Sequence, residues 1–299
     1  MIPRRLVEVF RQGSRTYFVS SLFFPVRVRE DVVRLYAFVR SADDFVDRVP
    51  QDGAGLQSFE ACYRQALAGR PAGDLIVDSF VDLAARRDFD PAWTDAFLQA
   101  MRADLEVTAY RTLADVERYM HGSAEVIGLM MARILGLDEA AYDSARLLGK
   151  AMQYVNFLRD IAEDHRLGRT YIPAEVLCRH GLASLAADEV RAHPDRFAAL
   201  VRAELARYRD WQRQAALGYV HLTPRVRVPV QTAADMYWWT AEQIEREPLQ
   251  VFRRKVKPSV ARIATRVARN GLVASLPFDA RDHATAIDPA SRCVGDDVR

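Results

Sequence analysis

Lysine is nearly absent from this chain. Lys150, Lys255 and Lys257 stand against thirty-nine arginines, and the formal net charge is only +2 over 299 residues. So even a balance excludes a general nucleic-acid binder, which needs a strongly basic face. Cysteine is scarce too: Cys62, Cys178 and Cys293 lie more than 100 residues apart. That spacing rules out a Cys-x-x-Cys metal or redox motif and offers no disulfide framework, leaving ordinary thiols. No apolar run approaches the ~20 residues a membrane-spanning helix needs. The most apolar stretch, Val126 to Leu137, is interrupted by Arg133. The N-terminal MIPRRLVEVFRQGSR has neither a continuous apolar centre nor a small-residue cleavage site, so no signal peptide is expected and the cytoplasm is the expected compartment. The only G-x-G, Gly53-Ala-Gly55, lacks the rest of a dinucleotide fingerprint.

What remains is a chain half of whose residues are hydrophobic, ample for a substantial core. Its apolar positions recur at helical spacing, and no stretch alternates as strands do. Helices are expected over residues 3–12, from Pro25 to Val49, at about 55–68, 73–87, 91–109, 112–136 and 139–165, from Arg196 to Val220, and from Pro229 to Arg246. Residues 174–200 read as short helices and turns. A basic helix carrying Arg262, Arg266 and Arg269 follows Pro258, and electrostatic attraction to an anionic lipid surface is expected of it. The predicted fold is all-α, one domain over residues 1–277, with residues 278–299 a disordered tail.

Two stretches place polar groups where a core helix should be apolar. In Gln153-Tyr-Val-Asn156-Phe-Leu-Arg159-Asp160-Ile-Ala-Glu163-Asp164, the side chains of Gln153, Asn156, Asp160 and Asp164 share a stripe of about 80° on one helix face. Tyr36, Arg40, Asp43 and Asp47 repeat the stripe 117 residues earlier. Carboxylates at i and i+4 repel, so each stripe needs a cation to face. A lone D-x-x-x-D is most often a solvated charged face. Two such motifs, each with an amide or Tyr and an Arg nearby, read instead as a clamp for diphosphate and Mg²⁺, an ion that takes one or two carboxylates plus substrate phosphates.

At these residues the chain resembles the squalene/phytoene synthase family. ADDFVD at 42–47 and QYVNFLRDIAEDHRLGRTYIP at 153–173 look like its two aspartate-rich signatures. The likeness runs from about Ser14 to Lys257 and takes in GSRTY at 13–17, RYMHGSAEVIG at 118–128, MYWWTAEQI and VFRRKVKPS. It implies a class I isoprenoid synthase helical bundle around a central apolar tunnel, with the stripes facing each other across the mouth. It implies Mg²⁺-dependent head-to-head joining of two prenyl diphosphates through a cyclopropyl intermediate. Two or three Mg²⁺ would be held by Asp43, Asp47, Asp160 and Asp164, with Asn156 on the same stripe.

By the same resemblance Tyr119 reaches toward the reacting centre. Ser14, Thr16, Tyr36, Arg40, Gln153, Tyr237 and Arg254 contact substrate. Independently of the resemblance, Gly168 and Pro173 end the motif helix, and the loop Arg169-Thr-Tyr171 that follows is placed to fold over the diphosphate as a lid. Many relatives carry His where Gly13 stands, so one diphosphate contact is missing here or supplied from elsewhere. Ser21 and Val33 stand where relatives making C30 products place larger aromatic groups, so an open, C20-accepting tunnel and phytoene are expected. The alternative is farnesyl diphosphate giving dehydrosqualene, or squalene if NADPH reduces the last cation. Neighbouring Phe23 and Phe24 are the residues able to close the tunnel. A different class of reading is a non-catalytic helical assembly protein on the same fold, which would be expected to have lost acidic residues. Peripheral association with a membrane accompanies a lipid substrate and product.

Overall fold

The computed structural model describes residues 2–274. The expectation of a disordered tail concerns residues outside that range. Fifteen α-helices make up the described chain, and an isolated bridge between Ala109 and Thr170 is the β pairing found among the described residues. In order they are α1 (Arg4–Gly13), α2 (Arg15–Ser21), α3 (Val26–Asp47), α4 (Gly53–Leu67), α5 (Leu75–Arg86), α6 (Pro91–Glu106), α7 (Leu113–Met120), α8 (Val126–Leu135), α9 (Tyr142–Arg159), α10 (Ile161–Arg166), α11 (Ala174–Arg179), α12 (Ala187–Ala192), α13 (Pro194–Ala216), α14 (Pro224–Arg246) and α15 (Val260–Ala274).

Local chemistry sets these boundaries. Asp52, Asp74 and Asp90 each accept a backbone N–H at the start of α4, α5 and α6, and Thr112 with Asp115 forms a reciprocal capping box on α7, the usual way to satisfy amides that lack a partner one turn back. Three departures from the periodicity matter for the site. The helix expected over 112–136 is interrupted by a π-helical turn, His121–Glu125, between α7 and α8. The helix expected over 139–165 breaks at Asp160, whose backbone leaves helical values (φ −102°, ψ 13°), so the second stripe is split between α9 and α10. The helix expected from Pro229 starts at Pro224 and carries Pro229 inside its second turn.

One apolar cluster runs through most of the helices, with Phe38, Phe80, Phe97, Tyr154, Phe197 and Leu205 fully buried in it. Helix α9 lies at its centre, packed along α8, α13 and α14. The approach of α8 and its π turn to α9 is backbone to backbone. A Cβ on Gly128 would fall 2.2 Å from the Ala145 carbonyl oxygen, and one on Gly149 would fall 2.5 Å from that of Ala124. The small residues of 122–128 therefore serve close helix packing, as their composition suggests, while the other face of the same segment borders a cavity.

Candidate active site

The cavity encloses about 730 Å³ among α2, α3, α8, α9 and α14. All eight residues of the two stripes border it, and Asp43, Asp47, Asp160 and Asp164 mark one end. Deeper in, Leu35, Val39, Ile127, Leu148, Met152 and Ala233 make the walls apolar.

The charge at the mouth is unevenly compensated. Arg40 pairs with Asp44 and stands 3.9 Å from Asp47, and Arg169 donates to Asp47 Oδ1 at 2.8 Å. Arg159 grips Asp160 with two bonds of 2.9 and 2.5 Å, and Lys255 Nζ sits 3.3 Å from the same carboxylate. Burial pushes the Asp160 carboxyl up, but Arg159 and Lys255 outweigh it and leave it below its ordinary range. Asp43 and Asp164 make no ion pair among the described residues. Burial first, then the charge of Asp47, pushes Asp43 up to about 8, and burial followed by the charge of Asp160 does the same for Asp164. Asp47 also raises Asp164, so the two stripes act on each other across the mouth, as their pairing implies.

This donor set fits a divalent cation. Two carboxylates lack a direct ion-pair partner, Arg40 and Arg169 acting on Asp43 and Asp164 only from a distance, and the buried Oδ1 of Asn156 has no hydrogen-bond partner while its amide nitrogen donates to Gln153 at 3.2 Å. An unpaired buried acceptor is costly unless something arrives to use it. No three His, Cys, Asp or Glu side chains among the described residues converge into a ready-made cage.

Most of the expected substrate contacts border the cavity: Ser14, Thr16, Tyr36, Arg40, Gln153, Tyr119, Tyr171 and Tyr237. Ser14 is also the N-cap of α2, accepting from the Tyr17 amide at 3.3 Å, and its hydroxyl proton stays available to an anion. Tyr36 stacks on Phe10, and the space a side chain at Gly13 would need is taken by the Tyr36 hydroxyl and the Arg40 stem. Three residues or segments sit differently from what the sequence suggests. Arg254 does not border the cavity; it is exposed and bonds Gln250 at 3.4 Å, and the cations the segment sends to the cavity are Lys255 and Lys257. The segment Arg169–Tyr171 is no exposed lid. Arg169 is 4% exposed beneath Asp47, and Tyr171 is packed flat on Phe157 with ring centroids 4.3 Å apart, because the bridge to Ala109 draws the segment inward. Val33 is a core residue off the cavity wall, where Val32 stands instead.

Two groups escaped sequence reasoning. Asp104 of α6 is 5% exposed and accepts from the Tyr119 hydroxyl at 2.8 Å and the Tyr171 hydroxyl at 2.7 Å, with Arg169 3.7 Å away. Burial raises its carboxyl to about 6 despite those three partners. The signal available was an acid on the apolar face of α6, one helical turn past Ala100 and Met101. Tyr17 stacks against Tyr237 and donates to Met152 Sδ at 3.3 Å, lining the cavity between the stripes.

Residues 10–262 match the family model for squalene/phytoene synthase. The chain belongs to the squalene/phytoene synthase family. Members of this family similar to it include a 15-cis-phytoene synthase of a Paracoccus species, 30% identical over 85% of this chain and 86% of that one. A 15-cis-phytoene synthase of Pantoea ananas is 31% identical over 83% and 84%. Among solved structures, a dehydrosqualene synthase superposes with a TM-score of 0.80 over 91% of this chain and 95% of that one, at 23% identity, and so bears on the fold. A squalene synthase from Alicyclobacillus acidocaldarius superposes with a TM-score of 0.71 over 82% and 96%, at 25% identity. The fold is thus the all-α isoprenoid synthase fold and the protein is a prenyltransferase of the squalene/phytoene synthase type.

Proposed function

We propose that the enzyme joins two geranylgeranyl diphosphates head to head, through a cyclopropylcarbinyl diphosphate, to give phytoene, two diphosphates and two protons. The observation that carries this reading is the cavity of about 730 Å³ whose lining joins both aspartate stripes to an apolar wall. Sequence relatives named as phytoene synthases support the C20 substrate.

Asp43, Asp47, Asp160 and Asp164, with the free Oδ1 of Asn156, would hold the divalent metal, expected to be two or three Mg²⁺. Bound there, the ions supply Lewis-acid neutralisation of the departing diphosphate. Arg40, Lys255, Lys257, Ser14 and Thr16 orient the same group from the cavity mouth. Tyr17, Tyr36 and Tyr237 offer ring faces that stabilise positive charge left on the allylic carbons. Tyr119, fixed by Asp104, presents its ring beside the reacting carbons. The apolar wall excludes water, which would otherwise quench the cation. No strong base is needed, since diphosphate or a tyrosine accepts the final proton.

One observation favours the C15 alternative: Phe24 stands in the cavity wall beside Ser21. Against it, Phe23 points outward, 45% exposed, and closes nothing. The loss of acidic residues expected of a non-catalytic assembly protein is not seen, since all four aspartates border the cavity. Incubation with geranylgeranyl or farnesyl diphosphate separately, with and without NADPH, and mass analysis of the hydrocarbon tests the reading. A C40 hydrocarbon formed without NADPH is expected. A C30 product alone overturns the chain length, and a product seen only with NADPH overturns the final deprotonation.

A further inference from the structure

The end of the cavity opposite the aspartates can be located from helix lengths. Val26 begins α3 and Asp43 lies near its end, about 26 Å further along at 1.5 Å per residue. Ser144 lies in the first turn of α9 and Asp160 follows its last residue, about 24 Å away. Gly218 packs against Ser144, which puts the short 3-10 segment Leu217–His221 at this far end as well. Helix α2 runs the opposite way, from the mouth to the far end. Tyr17 stacks on Tyr237 in the middle of α14, and Val19, like Val228 near the start of α14, packs against the cluster of Met236, Ile263 and Val267. Ser21 ends α2 and leads through a short corner into Val26, so this corner reaches the far end too.

At that end the chain exposes an unusual share of large apolar side chains. Leu22, Phe23 and Val26 are 46%, 45% and 62% exposed on the corner between α2 and α3, and Leu217 and Val220 are 56% and 55% exposed on the 3-10 segment. The corner is also the cavity wall. Ser20, Ser21 and Phe24 face the cavity, while their neighbours Leu22 and Phe23 face outward. Arginines frame this corner. Arg27 and Arg225 are exposed beside it, and Arg269 is exposed on α15, which packs on α2 and has no acidic residue, whereas Arg262 stacks on Trp239 and Arg266 pairs with Asp235 further along α14. Glu30 lies one turn past Val26 on α3, and Asp138, Glu139 and Asp143 lie around the start of α9, so the basic side of this end is that of α2, α14 and α15.

We propose that the α2–α3 corner, with Leu22, Phe23 and Val26, inserts into an anionic lipid bilayer and sets the hydrocarbon end of the cavity against the membrane. Apolar side chains ringed by arginines are what the interface of an anionic bilayer takes up, and no helix among the described residues is long and apolar enough to cross it. The placement rests on the chain-joining reading for its purpose: diphosphates enter from water at the aspartate end, and the prenyl tails and hydrocarbon product lie toward lipid. It also locates the contact on an apolar corner rather than on the charge of α15 alone.

The test is flotation of the full-length protein with vesicles of neutral phosphatidylcholine, with and without phosphatidylglycerol, for wild type, Phe23→Ser, Leu22→Ser and Arg269→Gln. Wild type should float with the anionic vesicles, and each serine variant should bind about tenfold more weakly. Arg269→Gln should lose affinity mainly at low salt. Turnover of detergent-dispersed substrate by the serine variants should match wild type. Failure of the full chain to float, or equal binding by Phe23→Ser, would overturn the proposal. So would a wild-type dimer, seen by sedimentation and lost in Phe23→Ser, that does not bind vesicles. Flotation needs no catalysis, so a chain that floats but joins no prenyl diphosphates would sink the proposed reaction and leave the docking corner standing.

Discussion

Asp43 and Asp164 are held in a state that suits function and not stability. The fold raises each carboxyl from an ordinary value of 3.8 to about 8. The folded protein therefore prefers their neutral forms, and the stability they contribute is present below about pH 4 and lost as pH rises through about 8. Removing one ionisable group should relieve that strain. Asp43→Asn is expected to unfold at a higher temperature than wild type at pH 8, by an amount on the order of 1 kcal/mol, and at nearly the same temperature at pH 4. Calorimetric melts at the two pH values check this. Asp104 is the converse case, a buried carboxylate whose ionised form is used by two tyrosine hydroxyls. With its carboxyl raised to about 6, the rate should fall on the acid side near that pH as protonation withdraws an acceptor from Tyr119 or Tyr171. Asp104→Asn should lower turnover about tenfold or more, abolish that acid limb and cost about 1–3 kcal/mol of stability. A pH–rate profile of both proteins tests it.

At the scale of the element, periodicity predicted the helices well because their apolar faces are long and regular, and misjudged them where tertiary contacts override local pattern. Nothing in the spacing of 112–136 announces a π turn. It arises where Gly122 meets the Ala96 carbonyl, so closely that a Cβ would fall 2.4 Å from that oxygen. The break at Asp160 is equally silent in the sequence; Arg159 and Lys255 hold the carboxylate where the helix ends. Arg254 and Lys255 are adjacent, and only the turn after Phe252 decides which of them faces the cavity. The α8–α9 contact gives the sharpest element-scale expectation. Gly149→Ala must move one backbone away from another, and should cost about 1–3 kcal/mol with a lower unfolding midpoint in urea. An unchanged midpoint would mean that the helices do not approach as described.

For the molecule as a whole, the site was legible in outline because its residues come in two copies of one pattern, and each copy lies on a helix whose other face is core. What the sequence could not show was the distribution of charge between the copies. Arg40 and Arg169 pair with the first stripe, Arg159 and Lys255 with the second, and Asp43 and Asp164 are left without a direct ion-pair partner. The central claim is that the stripes form one diphosphate site rather than two independent charged faces. The most direct measurement is the rate of hydrocarbon formation from geranylgeranyl diphosphate, in Mg²⁺ and in EDTA, for wild type, Asp43→Asn, Asp160→Asn and the double variant, with helicity followed by circular dichroism. Either single change should reduce the rate about a hundredfold or more with helicity intact, the double variant should lose little beyond the worse single one, and EDTA should silence all four. A wild-type-like rate in either single variant, or full activity in EDTA, would contradict the account.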